Sequence, residues 1–158
     1  MVFRMKELPV NVRWMIRRDM PEVLAIEKES FTYPWSENDF VLTLQQKLMV
    51  GKVVEYREKV IGYCIYELRK KYLDVLNIAV HPDFRRQGVG SALMKDLKKQ
   101  LKNDRKRIKL VAADYNLDAH LFYKSQDFRA IDIIKDYYIA ENVDGYKFVY
   151  KQKVLQEC

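Results

Sequence analysis

Residues 76 to 91 read Leu76 Asn77 Ile78 Ala79 Val80 His81 Pro82 Asp83 Phe84 Arg85 Arg86 Gln87 Gly88 Val89 Gly90 Ser91. An apolar run stops at His81 and Pro82, a basic loop carries two glycines one residue apart, and an amphipathic stretch follows from Val89 to Lys102. The order is strand, loop, helix. Gly88 and Gly90 lack a Cβ, so the backbone can turn sharply and an anion can approach N–H groups at the positive end of the helix. The loop is thus a candidate pyrophosphate cradle. An ordinary strand-to-helix turn can carry the same residues. Other phosphate motifs fit poorly, because no Lys-Ser/Thr pair follows the second glycine and no third glycine completes a dinucleotide fingerprint.

Working outward, Val12 to Arg17 alternates as a first strand, and Asp19 with Glu22 three residues on marks a helix start with Pro21 in its first turn. That helix is expected to run to about Phe31. Ser36 with Asp39 starts a second helix, on which Phe40, Leu44 and Leu48 fall at helical spacing, so Thr32 to Trp35 form a short loop. Residues 49–56 and 60–69 read as an antiparallel hairpin turning at Arg57 Glu58 Lys59, without the favoured Asn-Gly. The next strand is Tyr72 to Val80. Beyond the loop and its helix, Ile108 to Ala112 is a short buried strand and Asp118 can cap a helix to about Ser125. Phe128 to Lys135 and Lys147 to Lys153 close the chain as strands. Strands and helices in this mixed order predict an α+β fold with a mixed, mostly antiparallel twisted sheet flanked by helices.

At 158 residues and 49% hydrophobic, the chain suits one domain over 1–158 with its own core. Charges interrupt every apolar run well short of the roughly 18 residues of a membrane span, and no signal-like segment opens the chain. A cytoplasmic protein without membrane association is the expectation. Cys64 and Cys158 lack metal-ligand spacing and read as free thiols, so no metal is expected. The formal charge of +7 comes largely from Arg69 to Lys71 and from the basic residues between Lys95 and Lys109. A solvated face, attraction of an anionic cofactor, or contact with nucleic acid or a ribosomal surface each account for it, and charge alone does not choose.

The spacing from Val80 over four residues to Arg85, then to Gly88 and Gly90, resembles the acetyl-coenzyme A motif of the GNAT family of N-acetyltransferases. The resemblance extends over nearly the whole chain. It implies the GNAT fold, acetyl-CoA as cofactor, and cofactor contacts from Ile78, Ala79 and Val80 on the strand, from Arg85, Arg86, Gln87, Gly88, Val89, Gly90 and Ser91 in the loop, and from Asn116 and Tyr123. Acetyl transfer needs a neutral amine, stabilisation of an oxyanion, and a proton for the departing thiolate. The Val80 N–H is the natural oxyanion donor by position. Asn116 and Tyr123 stand seven residues apart, two helical turns, and in the family the Tyr is the general acid. Without the family, Phe122 and Tyr123 read as packing aromatics.

Phe31 to Glu37, Leu76 to Val80, and Tyr137 Tyr138 before the closing strand look like the ribosomal-protein alanine N-acetyltransferase branch, whose relatives acetylate protein N-termini. The resemblance implies that Tyr33, Pro34 and Trp35 flank a peptide slot with Tyr137 and Tyr138. Trp35 as a core anchor and the tyrosines as ordinary strand residues are the alternative. Two positions depart from the pattern. Val111 stands five residues before Asn116, where the bacterial alanine enzymes carry a Glu base, and Asp127 replaces a Gly, although Asp tolerates a left-handed turn. Asp74, six residues before Val80, holds the place of the catalytic Glu in histone-type members and is a candidate base one methylene shorter. Glu29 and His81 are weaker candidates, and His120 reads as a helix-surface residue.

An α-amine with pKa near 8 is about a tenth neutral at pH 7, whereas a lysine amine is neutral at only about 0.04%. A missing strong base therefore favours an α-amine acceptor. The expected activity is transfer of acetyl to a protein N-terminus, such as that of a ribosomal protein, by direct transfer in a ternary complex. The chain is expected as a monomer or weak dimer, with nucleic-acid contact unexpected except in association with the ribosome. The rivals are a GNAT enzyme for a small amine, such as a polyamine or an antibiotic, and a non-catalytic basic module docking on RNA or a ribosome.

Overall fold

A computed structural model describes residues 7–153. Seven strands and four α-helices follow in the order β1 (Asn11–Trp14), α1 (Met20–Ser30), α2 (Glu37–Leu44), β2 (Met49–Tyr56), β3 (Lys59–Leu68), β4 (Tyr72–Val80), α3 (Val89–Lys99), β5 (Arg107–Ala113), α4 (Leu117–Ser125), β6 (Arg129–Tyr138) and β7 (Val143–Lys151). The sheet runs β1-β2-β3-β4-β5-β7-β6. β4 and β5 pair in parallel, while β1–β2, β2–β3, β5–β7 and β6–β7 are antiparallel. The chain divides into two compact units, one holding the residues up to Glu67 with Leu76–Asp96, the other Leu68–Val75 with the residues from Leu97 on.

In the first unit, Met20, Val23 and Ile26 on α1 and Phe40 on α2 pack with Val53, Val60, Tyr63, Ile65 and Ala79 from three strands. Burial of side chains of this size stabilises by roughly 2 kcal/mol each. α2 starts at Ser36, whose hydroxyl accepts from the Asp39 N–H at 3.1 Å while the Asp39 carboxylate accepts from the Ser36 N–H at 2.8 Å. That reciprocal cap is the one Ser36 and Asp39 announce in the sequence. Asp19 precedes α1 as expected, but its carboxylate turns away from the helix. It accepts from both terminal nitrogens of Arg13 at 2.8 Å and from the Ile16 N–H at 2.8 Å. This clasp ends β1 at Trp14, three residues before the expected Arg17.

Other boundaries also move. α2 stops at Leu44, and Leu48, expected on that helix, is exposed with φ 75° where the chain turns into β2. The hairpin closes through Arg57 and Glu58 alone, both at positive φ (49° and 63°), with Tyr56 paired to Lys59. α3 ends at Lys99, short of Lys102.

In the second unit, Ile108, Leu110 and Ala112 of β5 are buried, as are Tyr123, Phe128 and Phe148. The Tyr123 ring lies 5.8 Å from Phe128 and 5.5 Å from Phe148. The cap of α4 is Asn116 rather than Asp118: its side-chain oxygen accepts from the Ala119 N–H at 3.2 Å, and Asp118 sits in the first turn. β6 runs on to Tyr138, past the expected Lys135, and β7 begins at Val143, ahead of the expected Lys147. Asp127 takes φ 69°, the left-handed turn anticipated for it. Cys64 is a free, buried thiol on β3, and Cys158 lies outside the described residues.

Candidate active site

The first unit carries the strand–loop–helix. β4 ends at Val80, a 3-10 turn spans Pro82–Phe84, and α3 starts at Val89. Between them Arg86 (φ 61°) and Gly88 (φ 82°) both adopt left-handed backbone, which an Arg tolerates at a cost and a Gly does not feel. A Cβ on Gly88 would meet the Glu7 side chain at 3.0 Å, a second reason for glycine there. The first intrahelical bond runs from the Ala92 N–H to the Gly88 carbonyl at 3.0 Å. Backbone N–H groups ahead of Ala92 therefore precede the helical ladder, and with the helix dipole they suit an anion. Arg85 is engaged locally, its Nε donating to the Val80 carbonyl at 3.2 Å and Nη2 reaching Ser30 Oγ at 3.5 Å. Arg86 is exposed. Loop donors plus an exposed guanidinium are a donor set that fits the pyrophosphate of coenzyme A.

The loop between α1 and α2 lies in the same unit. Tyr33 is 55% exposed, whereas Trp35 is partly buried against Phe40, ring centroids 5.1 Å apart. Trp35 is thus an anchor, and Tyr33 is the aromatic that faces outward. The Trp35 N–H donates to Glu27 Oε1 at 2.9 Å. Glu27 itself is only 1% exposed, and its Oε2 accepts from Asn77 Nδ2 at 2.8 Å and from the Tyr63 hydroxyl. Burial, with the Glu27 carboxylate second, holds the Tyr63 phenol far above its usual pKa. Glu29, the candidate base on this helix, is exposed, and Glu27 is the buried carboxylate instead. The signal was available: Glu27 falls at the helical spacing of Val23 and beside Ile26, on the apolar face of α1.

The other site residues lie in the second unit. Tyr137 and Tyr138 close β6 with rings edge to face at 5.0 Å, and the Tyr138 hydroxyl donates to the Val111 carbonyl at 3.2 Å. A Cβ on Gly145 would come within 2.5 Å of Val111 Cγ1 and 3.0 Å of Tyr137 Cβ, so the missing side chain of β7 makes room for Tyr137 beside Val111. Burial raises the Tyr137 pKa, and the Asp74 carboxylate raises it further. The structure therefore brings Asp74, Tyr137, Tyr138 and Val111 into one patch. Asp74 also lies in register with Lys109, whose ammonium sits 4.0 Å over the Tyr72 ring.

Asn116 and Tyr123 each serve a local purpose as well. The Asn116 oxygen caps α4, which leaves Nδ2 as the group that can reach a ligand, and the Tyr123 ring is 7% exposed in its aromatic cluster. His81 accepts from the Asp83 N–H at 3.1 Å through Nδ1 and packs on Phe84. His120, expected at the surface, is half-buried, stacks on Tyr146 at 5.1 Å and bonds the Ala113 carbonyl at 2.9 Å. A broad groove of about 1310 Å³ runs past His120, Lys124, Arg129 and Tyr150, and contains none of the expected site residues. Among the described residues no helix is long and apolar enough to cross a membrane, and no group of three or more His, Cys, Asp or Glu is placed for a metal ion.

A mixed sheet whose β4 leads through a basic, left-handed loop into a helix N-terminus suits a phosphate-bearing cofactor at the end of a strand. The acetyltransferase (GNAT) family model matches residues 20–128, and the chain belongs to that family. It is 30% identical over 136 residues to a putative ribosomal protein bS18-alanine N-acetyltransferase of Bacillus subtilis, covering 85% of this chain and 90% of the relative. The Escherichia coli bS18-alanine N-acetyltransferase is 29% identical over 121 residues, 76% of this chain and 81% of that protein. The crystal structure of the E. coli enzyme superposes with TM-score 0.78 at 22% identity, covering 94% and 98% of the two chains. Arabidopsis thaliana NAA60 in complex with acetyl-CoA superposes with TM-score 0.78 at 17% identity, covering 90% and 99%. The protein is an acetyl-CoA-dependent N-acetyltransferase with the GNAT fold.

Proposed function

We propose that the acceptor is the α-amine at a protein N-terminus, of the ribosomal-protein alanine type, and that acetyl passes to it directly in a ternary complex. The observation that carries this reading is the patch around Val111. An aliphatic side chain holds the position of the family's Glu base, two tyrosines lie against that strand, and the carboxylate felt by Tyr137 is that of Asp74. A short, partly solvated carboxylate suits an amine that is already about a tenth neutral at pH 7 better than one that is almost wholly charged. The names of the E. coli and B. subtilis relatives support the same acceptor class.

When bound, acetyl-CoA supplies the activated thioester. Arg86 and the N–H groups ahead of Ala92 would hold its pyrophosphate, and the Asn116 amide would offer the cofactor a donor. Ile78, Ala79 and Val80 would offer backbone groups to the cofactor, and the Val80 N–H would be the donor for developing negative charge on the acetyl oxygen. Asp74 would accept the ammonium proton, through water because its side chain is short, and the Tyr123 phenol would be the proton donor for the thiolate leaving group. Tyr33, Pro34 and Trp35 would contact the acceptor peptide, as would Tyr137 and Tyr138. Cys64 takes no part. It is fully buried on β3, and burial keeps its thiol protonated far above the usual range. The acceptor protein is met in the cytoplasm by a monomer or weak dimer.

The test is coenzyme A release with peptides beginning in Ala or Met, with N-blocked lysine peptides, and with polyamines. Turnover is expected on the free α-amine, about 10²-fold slower in Tyr123→Phe. A preference for lysine or polyamine would overturn the acceptor assignment.

A further inference from the structure

Glu27 sits on α1 with its carboxylate inside the apolar core, beside Ile26, Phe40 and Tyr63, all 1% exposed or less. A carboxylate is an expensive group to bury, and an apolar side chain of similar size commonly stabilises such a site as well or better. Its distinctive effect is geometric. Oε1 fixes the backbone N–H of Trp35, the last residue before the Ser36 cap of α2, and so sets where the 31–36 loop leaves the core. Oε2 fixes the Asn77 amide and the Tyr63 hydroxyl. Asn77 immediately precedes Ile78 on the strand that offers its backbone to the cofactor. One carboxylate therefore ties the loop bearing Tyr33 to β4, inside one unit.

We propose that Glu27 is a positioning residue for the acceptor: by clamping the Trp35 N–H and the Asn77 side chain, it holds the Tyr33–Trp35 loop at a fixed height over the end of β4. It touches neither substrate nor cofactor. The inference rests on the reading of that loop as a contact surface for the acceptor. The contact of the Trp35 ring with Phe40 is apolar and non-directional, whereas the bond from the Trp35 N–H to Glu27 fixes one backbone position.

Glu27→Met removes every acceptor while keeping the length of the side chain. Glu27→Gln keeps an oxygen for the Trp35 N–H, and its amino group is satisfied once the Asn77 amide reverses to accept from it. The Met variant is expected to raise the peptide KM about tenfold and leave the Kd for acetyl-CoA within twofold, with Gln restoring the peptide KM to within threefold of wild type. Amide hydrogen exchange over residues 31–36 is expected to accelerate in Met and recover in Gln. A purely structural role would lower Tm and leave both constants of the folded enzyme unchanged, which overturns the proposal. Equal weakening of peptide and acetyl-CoA does so too. Should Glu27→Met not fold, Tyr63→Phe removes one donor with little change in shape and is expected to raise the peptide KM about threefold; no rise counts against the clamp. Tyr33→Ala separates the two claims. If it raises the peptide KM and the Glu27 variants do not, only the clamp fails, and if it leaves the peptide KM unchanged, the contact-surface reading fails and the clamp with it.

Discussion

Gly145 shows how one absent side chain arranges a site. Its neighbours at the would-be Cβ are a branched carbon of Val111 at 2.5 Å and Tyr137 Cβ at 3.0 Å, the second fixed by its backbone and the first movable only by a change of rotamer. Gly145→Ala is expected to destabilise by about 2 kcal/mol through overpacking and to raise the peptide KM by displacing Tyr137. Thermal unfolding and steady-state kinetics on the same sample check both. At the other end of the chain, Arg13 donates to Asp19 twice at 2.8 Å and to Glu55 at 2.6 Å. The Arg13 bond holds the Asp19 pKa below its ordinary value, against the opposing effect of burial. A depressed carboxylate contributes stability above its unfolded pKa and loses it as pH falls through the lower folded value. Arg13→Met is therefore expected to cost about 2 kcal/mol between pH 5 and 8, with the gap to wild type closing below about pH 4. A gap constant down to pH 2 would show that the pair acts through packing instead.

Among the elements, α4 is where a structural and a ligand role meet on one side chain. Asn116→Ala removes both the cap oxygen and Nδ2, and is expected to lose about 1 kcal/mol of stability together with affinity for acetyl-CoA. Asn116→Asp keeps an acceptor for the Ala119 N–H and discards the donor. It should unfold near the wild-type Tm while its acetyl-CoA KM rises several-fold; an unchanged KM would leave Asn116 as a cap alone. The β2–β3 hairpin offers a gain. Both turn residues take positive φ, the type I′ pattern that favours Asn-Gly, yet the sequence supplies Arg57 and Glu58. Arg57 lies 5.1 Å over the Tyr56 ring, so Glu58→Gly is the cleaner change, expected to stabilise by about 1 kcal/mol in denaturant titration.

Across the whole molecule the charge of +7 acts on an anionic cofactor. The Debye length falls from about 10 Å at 0.1 M salt to about 3 Å at 1 M. The acetyl-CoA KM is expected to rise several-fold over that range, and the dependence should flatten in Arg86→Ala, the exposed guanidinium of the loop. An equal slope in wild type and variant would assign the attraction to the diffuse charge instead.

The local rules in the sequence determined the strand–loop–helix with Gly88 at positive φ, the Ser36–Asp39 cap, the hairpin and the left-handed Asp127, because each depends on a few neighbouring residues. The resemblance to the GNAT family is likewise carried by short motifs, and the family model over residues 20–128 bears it out. Boundaries went astray where a partner distant in sequence intervened. Arg13 drew Asp19 away from the helix and shortened β1, and pairing with β7 carried β6 on through Tyr137 and Tyr138. His120 has the pattern of a helix-surface residue, yet it is half-buried because Tyr146, on a strand 26 positions later, supplies the ring it stacks on. Glu27 has the same origin. A helix pattern can show that a carboxylate falls on the apolar face, but only the tertiary structure brings Tyr63 from β3, Asn77 from β4 and the Trp35 N–H to it, and those three donors make its burial tolerable.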